Sequence, residues 1–235
     1  MPVALGAAYV VALTGKAGRL RAVAFLAGCG LLVAALVTPL DTLAREYLVL
    51  AHLVQNVVLA EWAPLLLVLG IPPAVAVGIV RGRLTTALTD PVVALPLWLA
   101  SYAVWHVPAI YDAALRHEHS LLPIEHASYL VTGVLFWWCV WQEAPHRLGT
   151  ATRAGYMFAA FVLSAPVGLV LALVPDPLYD FYAAAPERVW GLSRLEDQQL
   201  GGMTMAAEQS VVFFVVFAYW FMRFLSEQER AEEVA

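Results

Sequence analysis

Repeated apolar runs, each close to the length needed to cross a bilayer, constrain this chain more than any other feature. A membrane-crossing helix needs about 20 predominantly apolar residues, with a range of roughly 17–25. Seven stretches come near that length: residues 2–14, 21–40, 46–69, 91–106, 121–141, 154–174 and 200–224. The first is short, and the fourth spans only if it tilts or begins earlier. Hydrophobic residues make up 62% of the 235 and charged ones 13%, so little chain remains for a soluble unit. Residues 1–235 therefore read as a single transmembrane helical domain. Backbone groups in lipid must be satisfied within each segment, and no alternating strand-length segments are present, so the expected class is all-α: an integral membrane bundle of about seven transmembrane helices. A net charge of -5 argues against nucleic acid as a partner and leaves the lipid bilayer as the first one.

Local signals sharpen some boundaries. Asp90-Pro91 supplies a cap and first turn for the fourth span, and Ser120 is a candidate cap for the fifth, with Pro123 tolerable in its first turn. Pro166 predicts a kink in the sixth. Cys29 and Cys139 lie inside apolar runs without CxxC spacing, which suits free thiols used as small hydrophobes rather than a disulfide. Residues 2–14 have no basic segment before them, so they do not read as a cleavable signal.

Basic residues give the orientation. Lys16, Arg19, Arg21, Arg81, Arg83, Arg147, Arg153, Arg223 and Arg230 fall on one side, and Arg45, Arg116, Arg188 and Arg194 on the other, nine against four. The richer side should be cytoplasmic, which puts the amino terminus outside and the carboxy terminus inside. Dropping the short first run would move the amino terminus only. The longer, more acidic connections, 107–120 and 175–199, then lie outside. Tyr179, Phe181, Tyr182 and Trp190 suit an interfacial segment covering the bundle mouth, and Trp137, Trp138 and Trp141 an inner aromatic belt.

Polar residues inside apolar runs are costly, and so are functional suspects. His52, Gln55 and Asn56 share one helix face in the outer half of the third span, with Glu61 deeper in the same helix. His106 ends the fourth span, His117 and His119 follow in the loop, and Glu125-His126 opens the fifth. Asp197, Gly201-Gly202, Met203 and Met205 introduce the seventh. All except Glu61 map to the outer third of the bundle. Taken singly, each has an ordinary reading. His52 can be an interhelical hydrogen bonder, His106 an interfacial residue beside Trp105, and His117, His119 and His146 solvated loop residues. The methionines suit packing, and Gly201-Gly202 close helix approach. Taken together, four chain regions converge on one end. Imidazoles suit copper, zinc and iron, and a thioether tilts the set toward Cu(I). Spacing alone leaves open a copper site, a zinc-bound hydroxide acting as a hydrolase, and a b-type haem with paired histidines; the lack of CxxCH removes covalent haem attachment.

Several blocks in order resemble the CtaG-type cytochrome c oxidase assembly factors of bacteria. They are Thr38-Pro39-Leu40-Asp41, Ala51-His52-Leu53-Val54-Gln55, Trp105-His106-Val107-Pro108, Ile124-Glu125-His126 with Phe136-Trp137-Trp138, and Asp197-Gln198-Gln199-Leu200-Gly201-Gly202. The resemblance covers about residues 21–223. It implies a multi-pass protein of the bacterial plasma membrane, an accessory factor rather than an enzyme, that binds copper at its outer face and supports maturation of haem-copper oxidases, whose subunits would be its partners. On that reading His52, His106, His126 and Met203 are the expected metal ligands, steadied by Gln55, Asn56, Glu125 and Asp197. The chain departs from the pattern twice. Asn56 stands where the family usually has a second histidine of the third span, and amide is a poor copper ligand. Met205-Ala206 stands where it usually has Met-Trp.

Overall fold

Proline and short capping side chains set where the helices of this chain begin and break. The computed structural model describes residues 15–185 and 189–233, and in these the regular structure is helical throughout. The run at residues 2–14 lies outside the described residues. Helix α1 spans Gly15–Val37. It ends at Thr38, whose hydroxyl accepts from the Leu40 N–H and caps the short amphipathic α2, Pro39–Glu46, with proline in its first turn. The next span, α3, is Val49–Gly70. The second and third apolar runs, expected to reach residue 40 and to begin at 46, are thus separated by a short helix that takes in the 41–45 connection and the facing ends of both runs.

Helix α3 is interrupted at Val58–Trp62 by a π turn, closed by the Ala63 N–H donating to the Val58 carbonyl. Pro64 is the physical reason: it has no N–H for the Ala60 carbonyl, and its ring crowds that carbonyl, so the helix widens by one residue. Two short helices, α4 (Pro73–Ile79) and α5 (Arg83–Leu88), lead to α6, Pro91–Trp105. Asp90 caps α6 as expected, accepting from the Val92 N–H at 2.9 Å. The segment 107–120, expected as an outer loop, instead contains helix α7, Pro108–Arg116, bent 76° from α6. Pro108 pushes Val107 into the extended region, ending one helix and starting the next.

Helix α8, Leu121–Trp141, matches the fifth run. Ser120 does not cap it; its hydroxyl donates instead to the His117 carbonyl. Helix α9, Thr150–Leu173, continues through Pro166. Helix α10, Arg194–Glu232, is 39 residues, about 58 Å long at 1.5 Å per residue, and outruns the expected 200–224 at both ends. Four described helices are long and apolar enough to cross a membrane, α1, α3, α9 and α10, and the bent pair α6–α7 makes a fifth if counted as one span.

The core lies around α8, whose buried positions 122, 125, 129, 133, 136 and 140 repeat at helical spacing. Gly133 is where α8 meets the π turn: a Cβ there would lie 2.2 Å from the Ala60 carbonyl oxygen. Trp137 and Trp138 are buried against this core, Trp137 packing on Phe136 and Phe213. Trp141 packs on Trp220. Trp137 and Trp138 are thus core residues rather than the interfacial ones expected, because the interior of the bundle is lined with aromatic partners; Trp141 is half-buried. Both cysteines are free, and Cys139 is buried.

Candidate functional site

At the α3 amino terminus, Leu48 offers no capping side chain. The Asp197 carboxylate of α10 does that work: its two oxygens accept from the Val49 and Leu50 N–H groups, each at 2.9 Å. One turn later, Gly201 and Gly202 let α10 approach two neighbours. A Cβ on Gly201 would meet Leu53 Cδ1 at 2.7 Å and Leu50 Cα at 3.3 Å, and one on Gly202 would meet the Ala172 nitrogen at 2.5 Å. The Asp-x-x-x-Gly-Gly block is therefore a docking device that fixes the height and roll of α3, and with it His52.

His52 sits one turn into α3 and is fully buried. Its Nε2 lies 3.1 Å from Glu125 Oε1, which also accepts from Asn56 Nδ2 at 3.0 Å. A carboxylate oxygen accepts, so the imidazole donates from Nε2, and the lone pair of the neutral ring is then on Nδ1. That Nδ1 is buried and has no hydrogen-bond partner. His106, at the α6–α7 bend, shows the same pattern: its Nδ1 is 2.7 Å from the Tyr102 carbonyl, which only accepts, and its Nε2 is buried and unpartnered. His126 Nε2 is likewise buried without a partner. Donating one ring nitrogen to a carboxylate or backbone carbonyl while the other stays free is the way metal-binding imidazoles are usually held.

These rings are not assembled into one coordination sphere. His52 and His126 stand with ring centroids 6.3 Å apart. His106 packs its ring on Tyr102, centroids 5.0 Å apart. Among the described residues no group of three or more His, Cys, Asp or Glu side chains is arranged to hold a metal ion. Gln55, on the same stripe as His52 in sequence, turns to α1 and α2 and donates to the Ala35 carbonyl at 2.8 Å and to Asp41 Oδ1 at 3.0 Å. Met203 lies on the outer face of α10, 50% exposed, whereas Met205 is fully buried. His117 and His119 are exposed. His146 reaches the Thr86 carbonyl at 3.0 Å and so is bonded rather than simply solvated.

The segment after α9 closes the mouth. Asp112 of α7 accepts from the N–H groups of Asp180 and Phe181 at 3.2 and 3.1 Å. Tyr179 stacks on Tyr111 at 3.7 Å and donates to the His106 carbonyl at 3.3 Å, and Tyr182 donates to the Ala44 carbonyl. Burial pushes both phenols above their ordinary range, so they remain hydrogen-bond donors. Tyr111 meets His52 edge-on at 4.9 Å. The tyrosines were legible in the sequence only as interfacial residues; that they roof a histidine depends on the bend at Pro108. Beside the roof, a lateral groove of about 460 Å³ is lined by Asp41, Arg45, Leu59, Glu118, Leu122 and His126. Arg45 spans its rim, bonded to Asp41 at 2.9 Å and Glu118 at 2.8 Å.

Comparison with known proteins adds a family. The model described as cytochrome c oxidase caa3 assembly factor (Caa3_CtaG) matches residues 5–227. An uncharacterized protein of Mycobacterium bovis is 29% identical over 209 residues, covering 77% of this chain and 30% of the relative. An uncharacterized protein of Mycobacterium leprae is 26% identical over 233 residues, covering 87% of this chain and 34% of the relative. The chain thus spans about a third of the length of the curated relatives it matches. No solved structure matches it.

Proposed function

Since the chain belongs to the CtaG-type cytochrome c oxidase caa3 assembly factor family, whose members are accessory proteins of the bacterial plasma membrane rather than catalysts, we propose that it holds copper as cargo at the mouth of the bundle during maturation of a haem-copper oxidase. The observation that carries this reading is the set of buried imidazole nitrogens left without partners at His52 Nδ1, His106 Nε2 and His126 Nε2. A buried polar atom left unpaired costs about 1–3 kcal/mol, and three such atoms of one chemical type at one end of a bundle are suited to a soft or borderline cation.

His52 and His126, whose ring centroids stand 6.3 Å apart, are the first pair in this reading. Glu125 holds the His52 ring and Asn56 holds Glu125. Asn56 therefore takes the place of a ligand with a positioning contact, and a third donor comes from His106 or from the receiving partner. Two resident imidazoles suit a carrier, because a closed site of four would retain its ion too firmly to pass on. Met203 is the weakest member of the expected set because of its exposure. The lateral groove past Arg45 supplies an entry that the tyrosine roof does not. Haem-copper oxidase subunits are the proposed receivers. A bundle of about seven spans forming one domain, with the histidine end and the amino terminus outside, is the proposed topology.

Detergent-purified protein should bind Cu(I) with a stoichiometry of one, and a His52→Ala/His126→Ala variant should lose it. Retention of copper by that variant would overturn the reading. Zinc bound in preference to copper, with hydrolysis dependent on His126, would establish the hydrolase alternative, and a Soret band the haem one.

A further inference from the structure

Glu61 is an acidic side chain of the apolar run 46–69 that the histidine cluster does not use. It lies nine residues beyond His52, about 13 Å deeper at 1.5 Å per residue, inside the π turn, and is fully buried. Its Oε1 accepts from Gln209 Nε2 at 2.8 Å, and the same amide nitrogen donates to the Tyr102 hydroxyl at 2.8 Å. Gln209 is itself buried, and its Oε1 has no partner. The carboxyl of Glu208, half-buried one residue before Gln209, stands in hydrogen-bond range of Glu61 and accepts from the Trp62 indole N–H. Trp62 is 37% exposed on the outside of the bundle.

The hydrogen-bond inventory of this cluster lacks a donor. Glu61 Oε2 and Glu208 Oε2 are both buried, and neither receives a hydrogen bond. Carboxylates offer acceptors only; two of them face to face repel unless one carries a proton to donate to the other. Among the described residues, the titratable groups that act on Glu61 are Glu208 from α10 and Tyr102 from α6, and the interactions of these carboxyls include no cationic side chain. The geometry points to Glu61 and Glu208 as a carboxyl pair that binds one shared, exchangeable proton deep in the bundle, with Gln209 and Tyr102 as its inner wall and Trp62 as its lipid-facing side. Hard oxygen donors do not suit Cu(I), so this site is chemically distinct from the histidine end.

The test uses wild-type protein in liposomes and a hydrophobic carbodiimide, which attacks carboxyls that carry a proton in apolar surroundings. The carboxyl adds across one C=N bond, its oxygen to the central carbon and its proton to nitrogen, and acyl migration leaves a stable N-acylurea with nothing expelled. Peptide mass spectrometry at neutral pH should find the adduct on Glu61 or Glu208, with no more than one per chain. Labelling should fall as the pH is raised. Glu61→Gln should slow labelling at Glu208 several-fold, because the like-charged neighbour that retains the proton is gone, while the elution profile of the protein stays unchanged. Wild-type protein that is unlabelled at both positions, or labelling suppressed by sodium ions with no response to pH, would overturn the proposal.

Discussion

Replacing Asp197 tests whether the histidine end is positioned from a distance. Its carboxylate makes two hydrogen bonds of 2.9 Å to adjacent N–H groups at the start of α3. Each charge-assisted bond contributes about 1.5–3 kcal/mol, and the negative charge at a helix amino terminus adds up to about 2 kcal/mol in partly buried geometry. Asp197→Asn keeps the shape, but one acceptor becomes an NH₂ that faces an N–H donor, and the charge is lost. A loss of about 3 kcal/mol follows. Asp197→Ala leaves both N–H groups buried without an acceptor and should cost about 4 kcal/mol. For a chain of 150–250 residues 1 kcal/mol moves the midpoint by about 2–4 °C, so the midpoints should fall by roughly 6–12 °C and 8–16 °C. Thermal unfolding of detergent-purified protein, followed by tryptophan fluorescence and by loss of the monodisperse size-exclusion peak, gives the order. Copper affinity should fall with stability, because the same cap sets the height of His52. A midpoint for Asp197→Ala within about 2 °C of wild type would refute the cap as the support of α3.

Other outcomes follow from single contacts. Gly133→Ala places a methyl 2.2 Å from the Ala60 carbonyl oxygen and should cost at least about 1–3 kcal/mol from overpacking, whereas Gly155→Ala, inside α9 with nothing within 4 Å, should not lower the midpoint and should stabilise by up to about 1 kcal/mol through added helix propensity. Glu125→Ala removes the acceptor that orients both His52 and Asn56 and should weaken copper binding roughly 10–100-fold, as loss of an orienting partner typically does, measured by competition with a chromogenic Cu(I) chelator. Tyr179→Phe loses the bond to the His106 carbonyl at a cost of about 1 kcal/mol, read as a small fall in midpoint. Copper affinity should decline as the pH falls, because protons compete for the same imidazole lone pairs that bind the ion; a flat profile between neutral and mildly acidic pH would remove histidine ligation.

The extent to which the site was legible in the sequence varies residue by residue. The apolar runs located α3, α9 and α10, because burial in lipid imposes length and composition on each segment by itself, and helical spacing located α8. His52, Glu125 and Asn56 were legible as polar residues at a position where polarity is costly, and they meet. Gln55 shares their stripe yet serves α1 and α2, since a helix packed against several neighbours offers each residue a different one. Asp197 was legible as a member of the site but not as a helix cap, because a cap donated from 148 residues away leaves no local signal.

By itself the sequence determined the all-helical class, the family, and the gathering of histidines toward one end, all of which follow from local composition and order. Tertiary structure alone decided which imidazole nitrogens remain free, that α7 bends away from α6 so that Tyr111 joins the roof over His52, and that Glu61 meets Gln209 of α10. Those facts depend on the relative height and rotation of separate helices, set by Gly133, Gly201, Gly202 and the Asp197 cap, and pairwise geometry of that kind is written in no single segment.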